Sequence, residues 1–174
     1  FENIPYNTLN QINNLKPVIP KPNINKIVQD RILEKNFVNK LNINTTQYAS
    51  INKIDDLLIN KDLIPGIIKT TKFGYDGKGQ FKIYSIEEIK NLEIDFEIKY
   101  ILEKLIRIKK EISVILTRFG PESFEIYEPI ENIHEDQILI SSKIPSHVSK
   151  EIIEKSKKWA KLIADELGFI GTMC

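Results

Sequence analysis

Between Lys69 and Gln80 the chain reads Lys-Thr-Thr-Lys-Phe-Gly-Tyr-Asp-Gly-Lys-Gly-Gln. Gly74, Gly77 and Gly79 fall within six positions, and residues without a Cβ leave backbone N–H groups bare and free to converge on an anion. Lys69 before the loop and Lys78 inside it add the positive charge that a chain of phosphates needs. This is not the P-loop pattern: Gly79 follows Lys78 where a Ser or Thr is required, and no helix follows. On these residues alone a hairpin tip with solvated lysines stays open. Glu103 and Glu111 flank a turn, where their carboxylates can accept hydrogen bonds from amino and hydroxyl groups of a ligand. Leu105 and Ile106 between them offer backbone groups at an apolar surface. Strand-end charges among Lys104, Arg107, Lys109 and Lys110 are the alternative. Asn132-Ile133-His134-Glu135-Asp136 sets a histidine beside acids without a metal-ligand spacing, so a polar hairpin turn is the simpler reading. No Ser/His/Asp order and no reactive cysteine environment is present.

These groups need elements to hold them. An apolar run over 63–68 leads into the glycine-rich loop and an alternating run over 81–84 leaves it, which predicts a strand–loop–strand hairpin. Four of the eight prolines fall in residues 1–22, around a short helix over 6–15, and 17–22 reads as an extended linker. Ile24, Ile27, Val28, Ile32, Leu33, Phe37 and Leu41 recur at helical spacing, so 25–41 is one amphipathic helix or two abutting ones. A strand over 45–49 and a helix over 53–58 follow, and Ser85-Ile86-Glu87-Glu88 reads as a capping box. Strands are expected over 100–105, 111–118, 124–129 and 137–144, with Gly120-Pro121 turning the second into the third. The clearest helix is 149–167, stopped by Gly168, with Ile152, Trp159, Leu162, Ile163 and Leu167 facing inward. The last six residues read as a buried strand cut short, as in a piece of a longer protein.

The 174 residues suffice for one domain or two small lobes. Hydrophobic content of 41% and charged content of 28% are ordinary for a globular protein. A net charge of +1 supplies no global field to recruit nucleic acid or an acidic membrane, so neither is an expected partner. No apolar run approaches the roughly 18 residues of a membrane span. The one cysteine, Cys174, allows no internal disulfide or cysteine zinc site and points to a reducing, cytoplasmic compartment.

Taken in order, the loop, Glu103, Glu111 and His134 resemble the ATP-grasp superfamily, and within it the carboxyaminoimidazole ribonucleotide synthases of purine synthesis. The carrying stretches are Phe1-Glu2-Asn3-Ile4-Pro5, Gln29-Asp30-Arg31 with Glu34-Lys35, and Gly74-Tyr75-Asp76-Gly77-Lys78-Gly79-Gln80. Further on come Glu103, Glu111-Ile112-Ser113-Val114, Tyr127-Glu128-Pro129, Glu131-Asn132-Ile133-His134 and Leu167-Gly168-Phe169-Ile170-Gly171. The resemblance runs essentially end to end. It implies an α+β fold with ATP clamped between two lobes: 1–24 a linker from a missing domain, 25–104 the small lobe, and 105–174 the first part of the large lobe. Lys69 would contact the phosphates, and 74–80 would be the loop closing over them. Glu103, Lys104, Leu105 and Ile106 would form the adenine hinge, Glu111 would hold the ribose, and His134 would line the nucleotide pocket. Tyr75 and Asp76 would face aminoimidazole ribonucleotide, the substrate carboxylated by way of carboxyphosphate made from ATP and bicarbonate. The acids that hold magnesium would lie beyond Cys174, so the chain by itself is expected to be inactive. A homodimer of the longer protein is one assembly left open. Another ATP-grasp ligase, biotin-carboxylase-like or formate-using, and a non-catalytic nucleotide-binding remnant are the alternatives.

Overall fold

The computed structural model describes residues 3–74, 79–92 and 94–174. In chain order the helices are α1 (Tyr6–Asn13), α2 (Pro22–Val28), α3 (Arg31–Lys40), α4 (Ile54–Ile59), α5 (Ile86–Ile89) and α6 (Lys150–Leu167). The strands are β1 (Tyr48–Ile51), β2 (Gly66–Thr70), β3 (Gln80–Ile83), β4 (Tyr100–Lys104), β5 (Glu111–Ser113), β6 (Leu116–Arg118), β7 (Phe124–Ile126), β8 (Ile130–Glu135), β9 (Ile138–Lys143) and β10 (Gly171–Met173). The chain divides into two compact units, residues 27–107 and residues 1–26 together with 108–174.

The unit 27–107 is built on a four-stranded sheet of order β1-β4-β2-β3, antiparallel throughout. Because strand side chains alternate between faces, Ile51, Ile68, Ile83, Tyr100 and Leu102 fall on one face and close over Leu57 of α4 and Ile89 of α5. The opposite face carries Tyr48, Lys69 and Glu103. The apolar run at 25–41 is two helices, since Asp30 adopts an extended backbone and its carboxylate accepts the N–H groups of Ile32 and Leu33, opening α3 afresh. The capping box expected at Ser85 does not form: Glu88 accepts the N–H of Tyr84 at 3.0 Å rather than that of Ser85, and the Ser85 side chain caps no backbone N–H of the helix.

The other unit holds two three-stranded antiparallel sheets, β10-β6-β7 and β5-β8-β9. The single strand expected over 111–118 is therefore two. β5 bonds to β8 in one sheet and β6 to β10 and β7 in the other, a change of partner that hydropathy along one run does not encode. The expected polar turn at 132–136 is mostly strand β8, in which Asn132 pairs with both β5 and β9 and His134 and Glu135 pair with β9. The turn itself is Asp136-Gln137, both at positive φ. Residues 1–24, read as a linker, carry α1 and part of α2, and Ile24 joins Leu116, Ala164 and Phe169 in this unit's core.

Helix α6 runs from its Ser149 cap to Gly168 in the left-handed region, as the sequence predicts. Its inward face is rotated from the expected one. Ile152 and Leu162 are exposed, whereas Leu167 meets the core as expected and Ala160 and Ala164 join it there. Small alanines permit a closer approach than the bulkier stripe would, and amphipathic counting does not weigh that gain.

Candidate functional site

Lys69 and Glu103 sit diagonally on the adjacent strands β2 and β4, where Ile67 is the register partner of Glu103 and Ile101 that of Lys69. The Lys69 ammonium donates to Glu103 Oε2 at 2.9 Å. The other carboxylate oxygen faces a second cation, Lys35 Nζ at 3.4 Å, brought down by α3. Glu103 is only 8% exposed, so two cations compensate a carboxylate that has lost most of its water. Lys35 also lies over the ring of Tyr48, the β1 residue paired with Glu103, at 5.5 Å. The Tyr48 hydroxyl in turn donates to Asn36 Oδ1 and accepts from Asn39 Nδ2, both on α3. Glu34 adds a like charge: desolvation by neighbouring atoms raises its carboxyl above the usual range and Glu103 adds to this, against Arg31 and Lys35. Arg31 reaches the hairpin base, donating to the carbonyls of Thr70 and Gly74, each at 3.3 Å.

The hinge residues divide by how the sheet uses them. Lys104 N–H donates to the Gln47 carbonyl and its own carbonyl accepts the Thr46 hydroxyl, each at 2.9 Å. Leu105 N–H donates to the Pro65 carbonyl at 2.8 Å, and Ile106 leaves the sheet 59% exposed. Gly74, Gly79 and Gln80 frame the loop. Gln80 is paired with Lys69, and Thr70 N–H donates to the Gly79 carbonyl at 3.1 Å, so the expected hairpin forms. Tyr75, Asp76, Gly77 and Lys78 lie outside the described residues.

The second pair belongs to the unit of 108–174. Glu111 faces Asn132 across β5 and β8, and His134 two residues further on β8 shares that side, placing His134 Nδ1 3.2 Å from Glu111 Oε2. Asn132 Nδ2 donates to Ser113 Oγ at 3.0 Å and Asn132 Oδ1 accepts Ser142 Oγ at 2.9 Å, which fixes the strands carrying the pair. The opposite side of β8 carries Glu131, whose carboxylate accepts the His147 N–H and a Lys110 Nζ–H, each at 2.9 Å. Those bonds, the His147 N–H foremost, hold Glu131 down at about 2. His147 itself is exposed. Among the described residues no three His, Cys, Asp or Glu side chains gather as a metal site.

Lys35 and Arg31 are functional candidates to which counting along the sequence attached no role. The available signal was their i,i+4 spacing behind the Asp30 cap, which puts two cations on one face of α3.

A model of the ATP-grasp domain matches residues 36–174. The N5-carboxyaminoimidazole ribonucleotide synthase of Brucella melitensis is 30% identical over 178 aligned positions, covering 99% of this chain and 49% of that protein. Its namesake in Bacillus subtilis is 30% identical, with 99% and 46% covered. A solved ADP complex of an N5-carboxyaminoimidazole ribonucleotide synthetase superposes with a TM-score of 0.90 at 31% identity, over 99% of this chain and 46% of that one. The chain spans about half the length of these relatives. Match and fold agree with the hairpin and the strand-borne Lys69–Glu103 pair: the chain belongs to the ATP-grasp family.

Proposed function

We propose that this chain is the nucleotide-binding portion of an ATP-dependent ligase that carboxylates aminoimidazole ribonucleotide with bicarbonate. The observation that carries this reading is the likeness to synthases of that name along 99% of the chain. The ADP complex among the similar structures and the placement of Lys69 beside the glycine-framed hairpin support the nucleotide part.

In this reading Lys69 meets the phosphates, aided by the N–H groups of the loop 74–80. Glu103 to Ile106 border the adenine, Glu111 accepts the ribose hydroxyls, and His134 lines the nucleotide pocket. Tyr75 and Asp76 face the ribonucleotide. A bicarbonate oxygen attacks the γ-phosphorus, the bond to the β-phosphate oxygen breaks, and ADP leaves carboxyphosphate behind. The substrate amine then attacks its carbon, phosphate departs and the amine loses a proton. Lysines and loop amides stabilise charge on the transferring group, and excluding water protects the intermediate. Among the described residues no three His, Cys, Asp or Glu side chains gather, and in this reading magnesium, when bound, would shield charge on the transferring phosphates. A cytoplasmic setting accompanies the proposal.

The test is ADP and ATP titration of the chain by calorimetry, native against Lys69→Ala. One charge-assisted contact is worth about 1.5–3 kcal/mol, so affinity should fall roughly tenfold or more. Equal affinities would remove Lys69 from the site. In the longer protein, Tyr75→Ala should impair the response to aminoimidazole ribonucleotide more than nucleotide binding.

A further inference from the structure

Glu103 has one cation on each carboxylate oxygen: Lys69 at 2.9 Å on Oε2 and Lys35 at 3.4 Å on Oε1. All three side chains are largely covered, with 11% of Glu103, 22% of Lys69 and 17% of Lys35 exposed. A lysine that neutralises a buried carboxylate is not free to neutralise a phosphate as well. Taking Lys69 away from Glu103 alone would strand an unpaired charge in a site with little water, and stranding such a charge is costly. The second lysine changes that balance.

We infer that Lys35 is a positioning residue: it is the resident counter-ion of Glu103, and it lets Lys69 leave for a phosphate group without stranding the carboxylate. This rests on the nucleotide reading above and deepens it. Three features fit Lys35 to stay while Lys69 moves. It is mounted on helix α3, whose Asn36 and Asn39 are tied to Tyr48. Its ammonium also lies over the Tyr48 ring, a second favourable contact that restrains it. Lys69, by contrast, stands one residue before the end of β2, next to the hairpin loop where phosphates are proposed to bind. Arg31 is committed to the Thr70 and Gly74 carbonyls. Glu34, a further charged neighbour of Glu103, has the same sign and cannot compensate it.

The test has two arms on the whole chain. In urea denaturation, Lys35→Met and Lys69→Met should each be tolerated, because either lysine leaves Glu103 one partner. The double variant should lose more than the sum of the two, with an extra factor of about ten in the unfolding constant. Should the double variant fail to fold, adding Glu103→Gln removes the stranded charge and should restore folding. Additive losses, or no rescue by Glu103→Gln, would overturn the counter-ion assignment. In the second arm ADP is titrated into the native chain, Lys35→Met, Lys35→Arg and Lys69→Met. Lys35→Met should weaken ADP about tenfold, since Lys69 then stays with Glu103, and Lys35→Arg should restore binding. ADP affinity unchanged in Lys35→Met contradicts the release role. A native chain that takes no ADP, together with a non-additive cycle, sinks the nucleotide reading and leaves Lys35 as the counter-ion of Glu103.

Discussion

At the scale of single residues, the charged side chains work in small groups whose members come from separate segments of the chain. Glu131 shows this outside the candidate site. Its carboxylate sits at about 2 rather than at the ordinary 4.5, because the folded chain aims the His147 N–H and the Lys110 ammonium at the ionised form. A depressed folded value means that the stabilisation is fully present above 4.5, where the unfolded chain is ionised too. It is lost as pH falls from 4.5 through about 2. Melting temperatures of native chain and Glu131→Gln should therefore differ most at neutral pH and converge toward pH 2. Parallel curves across that range would mean that another carboxylate carries the acid sensitivity.

At the scale of elements, β2 is held by what it lacks. A Cβ on Gly66 would lie 2.7 Å from the Leu63 carbonyl oxygen, 2.8 Å from Leu102 Cδ1 and 3.0 Å from the Glu103 carbonyl oxygen. Two of these atoms are backbone, so no rotamer change relieves the contact. Gly66→Ala should cost on the order of 1–3 kcal/mol, as overpacking does. It should also disturb the pairing that sets Lys69 against Glu103, and an unchanged urea midpoint would refute the crowding. The ends of α6 offer a contrast in kind. Gly168 has φ +53 with nothing within 4 Å of a built Cβ, so Gly168→Ala carries only the left-handed penalty, roughly 1–2 kcal/mol. Ser149 Oγ accepts the Ile152 N–H at a long 3.4 Å, so Ser149→Ala should fall near the low end of the cap range, about 0.5 kcal/mol. Thermal melts that ranked Ser149→Ala as the worse of the two would contradict this ordering.

At the scale of the whole molecule, one unit is continuous in sequence and the other is not. Every residue of the first core, from Ile51 to Leu102, comes from 27–107, and four strands with an apolar face suffice for independent stability. The second core needs Ile24 from the far end of the chain. A fragment of residues 27–107 should therefore melt cooperatively, followed by circular dichroism, while 108–174 should melt far lower or not at all. A cooperative 108–174 would show that α1, α2 and Ile24 are dispensable to that core.

By itself the sequence determined the local devices: the β2–β3 hairpin around the glycines, the Gly168 stop of α6, the apolar strands, and the order Lys69, Glu103, Glu111, His134 that resembles the ATP-grasp pattern. These depend on neighbours a few residues apart, where propensity and periodicity act. Only the tertiary structure decided that 111–118 serves two sheets, that 1–24 folds into the unit with 108–174, and that Lys35 shares Glu103 with Lys69. Each of those turns on a partner far along the chain. Strand pairing and the neutralisation of a buried charge are settled by what the fold brings within hydrogen-bonding distance, which spacing along one chain does not record.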